Sequence, residues 1–226
     1  MNKLNVLYED NHLIVVVKWT NVLSQSDITG DDDMLTLIKS YLKEKYHKPG
    51  NVYLGLVHRL DRVVGGVMVF AKNSKAASRL SESIRKNEMH KTYLAICHGK
   101  IKKNDTFIDY LKKKDDFSTI ISNKNEGKLS KLTYELLDYN KDKDLSLVKV
   151  NLETGRHHQI RVQFASRLHP LIGDSRYGND KEKEIGLFAY QLSFVHPVKK
   201  EEMTFKYIPK EKPFNLFNIN SYKENL

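Results

Sequence analysis

The stretch VHRLDRVVGGVMVFAK, from Val57 to Lys72, places a carboxylate between two arginines in a loop that joins two apolar segments. Residues 54–58 and 66–71 have the short, apolar composition of buried strands. Asp61 lies in the connecting loop, residues 59–65. Rigid scaffolds present reactive groups in loops at strand ends. The stretch therefore predicts a sheet protein with a candidate site at Asp61.

Charge and backbone freedom both make this loop a candidate for chemistry. Neighbouring cations, here Arg59 and Arg62, favour the ionised form of a carboxylate, which makes Asp61 a persistent nucleophile or base. Gly65 and Gly66 permit positive φ and close approach of a ligand to the backbone. A structural Asp–Arg pair that braces a turn is the alternative interpretation.

The rest of the chain continues this sheet. Three helices are expected: one after the capping acids Asp31-Asp32-Asp33, one over residues 75–86 capped by Ser74, and one over residues 157–167. Strands are expected at residues 4–8, 12–18, 91–98, 106–111, 117–122, 128–137, 145–152, 187–195 and 203–208. Many strands with three helices indicate an α+β fold, not a regular βαβ repeat.

Composition limits the class of protein. The 226 residues are 40% hydrophobic, enough for a core and one domain spanning residues 1–226. No apolar run approaches the ~20 residues of a membrane helix and no signal peptide is evident, so a cytoplasmic protein is expected. One cysteine, Cys97, excludes an internal disulfide. The net charge of +10 favours a polyanionic partner, with nucleic acid ahead of a membrane.

A second polar stretch, TGRHHQIR from Thr154 to Arg161, opens the third predicted helix. Free N–H groups, Arg156 and the imidazoles would form an anion cradle there. His158 and Arg161 are helix neighbours at i, i+3, and the amide of Gln159 could bond a base edge. Alternatively, the histidines are half-exposed residues that cap or pack, and adjacent helix positions do not face one another as metal ligands would. The nearby loop at residues 173–178 is interpreted as structural.

A third feature is Lys91-Thr92-Tyr93, at the start of the strand over residues 91–98. On a strand, Lys91 and Tyr93 share a face, where the ring could stack on an unpaired base beside a cation. A core tyrosine is the alternative. The sequence lacks phosphate-loop, dinucleotide-binding, zinc-protease, zinc-deaminase and nucleophile-elbow motifs, which leaves few ways to do chemistry without a cofactor.

Together and in this order, these stretches resemble the catalytic domain of the RluA-type pseudouridine synthases. The resemblance covers about residues 6–214 and rests on HRLDR…GG…VFAK (58–72), KTYLA…HG (91–99), ETGRHHQIR (153–161), HPLIGDSRYG (169–178) and FAYQLSFVHP (188–197). The pairing of HRLD with GRxHQIR at this separation is highly specific.

The resemblance implies isomerisation of uridine in RNA to pseudouridine, with no metal and no cofactor. It implies a mixed, largely antiparallel curved sheet in two halves with a central RNA-binding cleft. Asp61 matches the essential aspartate, Tyr93 the tyrosine that packs on the target base, and Arg161 the arginine that pairs with the aspartate. Arg59 matches the arginine implicated in opening the RNA around the target.

The expected partner is structured ribosomal or transfer RNA with a flipped uridine, bound by a monomer. The side chains predicted to contact RNA are cationic or can hydrogen-bond: Arg59, Arg62, Lys91, Arg156, His158 and Gln159. An S4-type RNA-binding domain, which many relatives carry before the catalytic domain, is not expected, because the first predicted strand begins at once.

Two other departures accompany the match. Val64-Gly65-Gly66 stands where the family usually has Thr-Ser-Gly, and Lys18-Trp19 replaces Lys-Pro.

Two alternative functions are considered. A catalytically silent RNA-binding protein on the same fold would bind RNA without making pseudouridine. A metal-dependent phosphodiesterase using Asp61, Asp174 and His158 would be inhibited by chelators.

Overall fold

The computed structural model describes residues 4–178, 180 and 182–222. Its three α-helices are α1 (Met34–Lys45), α2 (Ser74–Arg85) and α3 (Gln159–Ala165). The strands, in chain order, are β1 (Asn5–Glu9), β2 (Leu13–Lys18), β3 (Gly55–Leu56), β4 (Gly65–Ala71), β5 (His90–His98), β6 (Asn104–Lys113), β7 (Thr119–Ser122), β8 (Lys128–Asn140), β9 (Leu145–Leu152), β10 (Leu187–Val195) and β11 (Glu202–Lys206).

The chain divides into two compact units. Unit 1 comprises the chain up to Met89 together with Gln191–Tyr207. Unit 2 comprises His90–Tyr190 and the chain that follows Tyr207. The registered strand pairs within both units are antiparallel, which confirms the predicted α+β class with a largely antiparallel sheet.

Unit 1 is built around β2 and β4, whose register runs from Leu13 opposite Ala71 to Lys18 opposite Gly66. β1 pairs with β2, β3 pairs with β4, and β10 pairs with β11. One face of these strands packs on α2 through a buried apolar cluster: Leu13, Val15, Val67, Val69, Ala71, Ala76, Leu80, Met89, Leu192 and Phe194. Burying such side chains, at ~1.5–3 kcal/mol each, stabilises the strands that carry the Asp61 loop.

Both helices of unit 1 begin at an N-cap side chain. Asp33 accepts a hydrogen bond from the Thr36 N–H (3.1 Å), as the acidic triplet predicted. The cap of α2 is Asn73, which accepts from the Ala76 N–H (2.9 Å), so the prediction of Ser74 was wrong by one residue. Asparagine and serine cap comparably well, and sequence alone does not choose between neighbours.

Unit 2 is an antiparallel sheet in which β5 pairs with β9, β9 with β8, β8 with β6, and β6 with β7. Phe107 of β6, Tyr134 of β8 and Phe164 of α3 form an aromatic cluster, with ring centroids 5.1–5.6 Å apart. This cluster fixes α3 against the sheet. None of the helices in the described part of the chain is both long and apolar enough to cross a bilayer.

Two predicted elements are corrected. The strand expected at residues 54–58 is only Gly55–Leu56, because backbone pairing with β4 ends at Leu56 and the His58 imidazole, a side chain, accepts from the Val69 N–H (3.1 Å). The helix expected at residues 157–167 is Gln159–Ala165, because His158 adopts the left-handed conformation (φ 52°, ψ 22°) as its N-cap. His157 and His158 therefore precede the helix.

Candidate functional site

The loop that carries Asp61 is fixed by its backbone. The Val64 N–H donates to the Asp61 carbonyl (3.0 Å), which closes a turn. The Ser24 hydroxyl donates to the Leu60 carbonyl (2.8 Å) and accepts from the Leu60 N–H (3.1 Å). The Asn21 N–H donates to the Arg62 carbonyl (2.9 Å). The half-buried Asp61 is thus held between two anchored neighbours.

Beneath this loop lies Lys18, the last residue of β2, with its side chain fully buried. Its Nζ donates to the carbonyls of Arg62 (3.0 Å) and Trp19 (3.1 Å). Burial lowers the pKa of Lys18 to about 7, the charge of Asp61 opposes that shift, and the charge of Arg62 adds to it. Lys18 is therefore a functional candidate that the sequence analysis missed; the signal was a lysine ending the apolar run LIVVV.

The two arginines of the loop differ in their surroundings. Arg59 is exposed. Arg62 forms an ion pair with Asp31 (2.7 Å), and both side chains are close to half exposed. Both guanidinium groups are within reach of solvent, as RNA contact requires. Gly66 has φ 146° opposite Lys18, a backbone conformation that side chains rarely adopt, so the predicted need for glycine at this position is confirmed.

In unit 2, the segment over residues 154–161 is hydrogen-bonded to itself and to β8. The Gln159 side chain is buried, and its Oε1 accepts from the Thr154 hydroxyl (2.9 Å) and the Arg156 N–H (3.0 Å). Its Nε2 donates to the Lys131 carbonyl (3.1 Å). Gln159 therefore braces the segment, and the RNA contact predicted for it stays a prediction.

Arg161 is buried in a bidentate ion pair. Its Nε and Nη2 donate to the two carboxylate oxygens of Asp174, each at 2.8 Å. Asp174 also accepts from the N–H groups of Arg176 and Tyr177 (both 3.1 Å). The Arg161 guanidinium lies 5.2 Å from the centroid of the Tyr177 ring. The loop at residues 173–178 thus holds Arg161 in one orientation, while the pairing of Arg161 with Asp61 stays a prediction.

The two histidines before α3 stack on each other, with ring centroids 3.7 Å apart. The expectation that they do not face one another was wrong, because it assumed a helical backbone. His157 Nδ1 lies 3.0 Å from the Thr119 hydroxyl, and His158 Nδ1 lies 2.8 Å from the Tyr177 hydroxyl. These contacts tie the histidines to β7 and to the loop that holds Arg161.

The anion cradle predicted at the start of α3 is not formed as expected. The helix is only seven residues long and its first residue, Gln159, is buried. Arg156 is exposed and directs its Nε to the Leu129 carbonyl (3.1 Å). What remains of the predicted cationic surface here is the Arg156 side chain.

Lys91 and Tyr93 share a face of β5, as their register with Leu152 and Val150 of β9 requires. Tyr93 is buried, with 7% of its surface exposed. Burial lowers the pKa of Lys91. Its Nζ lies 3.8 Å from the position a Cβ would take on Gly155. Strand β5 therefore places Lys91 against the 154–161 segment.

Comparison with known sequences identifies the protein family. Residues 12–166 match the family model of RNA pseudouridylate synthases. An uncharacterized RNA pseudouridine synthase of Aquifex aeolicus is 33% identical over 98% of this chain and 73% of its own length. YhcT, an uncharacterized RNA pseudouridine synthase of Bacillus subtilis, is 32% identical over 88% of this chain and 66% of its own length. Ribosomal large subunit pseudouridine synthase D of Haemophilus influenzae is 30% identical over 88% of this chain and 65% of its own length.

The fold is similar to that of a solved human structure, RNA Pseudouridylate Synthase Domain Containing 4, with a TM-score of 0.77 at 20% identity, covering 93% of this chain and 90% of that one. At this identity the likeness concerns the fold alone. The family match includes Asp61, Tyr93 and Arg161, whereas Asp174 and Tyr177 follow it.

Proposed function

This chain belongs to the RNA pseudouridylate synthase family, and we propose that it isomerises specific uridines in RNA to pseudouridine with Asp61 as the essential carboxylate. The observation that carries the proposal is the Asp61 loop, whose backbone is held on both sides of Asp61 by Ser24, Asn21 and Lys18. A fixed carboxylate with exposed arginines on both sides suits a reaction on a polyanion.

The reaction needs no co-reactant. The N1–C1′ bond of uridine breaks, the uracil turns, and a C5–C1′ bond forms; C5 loses a proton and N1 gains one, so the composition is unchanged. The Asp61 carboxylate would assist departure of the uracil by attacking the sugar or base, or by abstracting a sugar proton. Each of these routes requires the ionised carboxylate.

The target must leave its stack before these atoms can be reached, at a cost of a few kcal/mol. Stacking on the Tyr93 ring, worth ~1–3 kcal/mol per base, would offset much of that cost. Arg59 would hold the RNA open around the target, and Arg62, Lys91, Arg156 and His158 would contact the RNA chain. Arg161 would pair with Asp61. The ion pair with Asp174 holds the Arg161 guanidinium in one orientation, which supports a positioning role for this residue.

We assign the chain to the RluA-type branch and propose ribosomal RNA as its substrate, acted on by a cytoplasmic monomer. The support for the substrate is that relatives from Haemophilus influenzae and Buchnera aphidicola are named ribosomal large subunit pseudouridine synthases D and C. The chain spans about two thirds of the length of these relatives. Their RNA substrate is therefore a proposal for this chain, and it needs its own experiment.

The test is the variant Asp61→Asn, which removes the charge and keeps the shape. We expect pseudouridine formation in ribosomal RNA transcripts to fall by at least about 10³-fold, while the affinity for the same RNA stays within about twofold. Carbodiimide mapping of the modified positions measures the first, and fluorescence anisotropy the second. Asp142→Asn, at an exposed turn residue, is the matched control and should keep full activity.

The catalytically silent alternative would be supported if the wild-type protein forms no pseudouridine but binds RNA with an affinity that falls steeply as the salt concentration rises. Normal product formation by the Asp61→Asn variant would remove Asp61 from the mechanism. Loss of wild-type activity with a chelator would support a metal-dependent reaction.

A further inference from the structure

A basic and aromatic surface lies at the end of α1, outside the Asp61 loop. Tyr46, which ends the helix, has 46% of its surface exposed. Three ammonium groups approach its ring centroid: Lys72 at 4.9 Å, Lys45 at 5.5 Å and Lys48 at 5.9 Å. We call these four residues the Tyr46 patch.

A buried carboxylate organises this patch from below. The Glu9 side chain, 7% exposed, pairs with Lys45 and Lys72, each at 2.7 Å. It also accepts from the Tyr46 hydroxyl (2.7 Å). Burial by itself would raise the pKa of Glu9, but hydrogen bonds from Lys45, Lys72 and Tyr46 lower it to about 2. Glu9 therefore stays charged and fixes the ring and two of the lysines in place.

The patch presents positive charge to solvent in a fixed arrangement. Its contacts bring together three ammonium groups and one carboxylate. The carboxylate lies beneath the lysines, whereas Lys45 is 44% exposed and Lys48 is exposed. On the helix before Tyr46, the exposed Lys43 and Glu44 offset each other in charge. The arrangement costs little to order when a polyanion binds, because the ring is already held.

The patch and the Asp61 loop lie at opposite ends of one strand. The loop enters β4 at Gly65, and Lys72 directly follows its last residue, Ala71. At ~3.3 Å per residue, these ends are about 20 Å apart. A ligand that contacts both must therefore be a macromolecule and not a single nucleotide.

We propose that the Tyr46 patch is a second RNA-docking surface, in which Lys45 and Lys48 bind backbone phosphates and Tyr46 stacks on one unpaired base. Lysines supply the salt-dependent, sequence-independent part of RNA binding. A tyrosine ring beside them is the usual platform for an unpaired base. The net charge of +10 favours a polyanion over other partners. The identity of the RNA rests on the proposed function; the surface itself does not.

The experiment compares two RNAs and four variants by fluorescence anisotropy across a series of KCl concentrations. One RNA is a short hairpin that presents the target uridine alone. The other is a ribosomal RNA fragment extended by a helix with a single-stranded end, long enough to span 20 Å or more. The variants are Lys48→Ala, Tyr46→Leu, Tyr46→Phe and the control Lys39→Ala, an exposed lysine earlier on the same helix.

For the long RNA, we plot the logarithm of the association constant against the logarithm of the KCl concentration. We expect Lys48→Ala to reduce the magnitude of this slope by about one. Tyr46→Leu should weaken binding about tenfold, as loss of one base stack predicts. Tyr46→Phe keeps the ring and loses only the hydroxyl bond to Glu9, so it should weaken binding less than Tyr46→Leu does. Lys39→Ala should match wild type. Binding of the short hairpin should be the same for all four variants.

Three results would overturn the proposal: wild-type slopes and affinities for Lys48→Ala and Tyr46→Leu, equal losses on both RNAs, or a Tyr46→Phe variant as weak as Tyr46→Leu. Displacement of the long RNA by polyglutamate at equal concentration would point to an acidic protein as the partner. If Tyr46→Leu unfolds at a lower temperature, the exposed Lys48→Ala variant decides the question.

Product formation separates the two proposals. Wild-type activity together with unchanged RNA binding by the patch variants would refute the docking surface and leave the enzyme. Patch-dependent RNA binding by a wild-type chain that makes no pseudouridine would keep the surface and refute the proposed function.

Discussion

The Asp61 loop of unit 1 and the 154–161 segment of unit 2 both carry charged and polar side chains, yet the fold uses these side chains in opposite ways. In the Asp61 loop, distant residues bond the backbone and leave Arg59 and Arg62 exposed. In the 154–161 segment, the side chains of Gln159 and Arg161 are themselves the bracing groups and are buried. Polar residues in a motif are thus either presented by a scaffold or are part of it.

The largest effect is expected when the carboxylate that braces Arg161 is removed. Asp174→Ala leaves a buried guanidinium without its bidentate partner, and we expect a loss of about 3–5 kcal/mol in the free energy of unfolding. Urea denaturation measures it. Asp174→Asn keeps an oxygen for the N–H groups of Arg176 and Tyr177 and should lose less. A cost below about 1 kcal/mol for Asp174→Ala would mean that the ion pair does not brace this segment.

A second test concerns the buried cation beneath the Asp61 loop. Lys18→Met removes the donor to the Arg62 carbonyl, and we expect product formation to fall about tenfold, as for loss of one charged hydrogen bond. The pKa of Lys18, about 7 in the folded protein, lies below its ordinary value of 10.5. The unfolded chain therefore binds more protons between these values, and this group's contribution to stability rises with pH.

The measurement is the difference in unfolding free energy between wild type and Lys18→Met from pH 6 to pH 9. Above pH 7, the unfolding free energy of the wild type should increase relative to that of the variant, with a slope approaching about 1.4 kcal/mol per pH unit. A difference that stays flat across this range would show that Lys18 keeps its ordinary titration when folded.

The smallest effect is expected at the solvent-exposed pair of Arg62 with Asp31. Asp31→Asn should change stability by less than about 1 kcal/mol, since exposed ion pairs contribute little. It should strengthen RNA binding about twofold at low salt, because Arg62 no longer has a competing carboxylate. Asp32→Asn, at the neighbouring exposed acid, is the control. Weaker RNA binding by Asp31→Asn would argue that the pair positions Arg62 for its contact.

The elements with strong periodic signals were predicted well. β9 was predicted without error at residues 145–152, and the Asp33 cap of α1 followed from the acidic triplet. β3 and the start of α3 were not, since both depend on how the chain bends. The left-handed backbone conformation of His158 does not change the hydrophobic periodicity, so the pattern of apolar residues does not predict it. The same is true of Gln159, whose three bonds connect residues up to 28 positions apart.

The α+β class and the position of Asp61 in a strand-end loop could be predicted from the residues alone, because apolar periodicity and turn chemistry are local. The antiparallel sheet was predicted from the family resemblance. Which polar groups are buried depends on the tertiary structure. It placed Lys18 under the Asp61 loop, gave Arg161 the Asp174 carboxylate and gathered three lysines around Tyr46. The reason is physical: a buried charge needs a partner, and the partner that the fold supplies can lie anywhere along the chain.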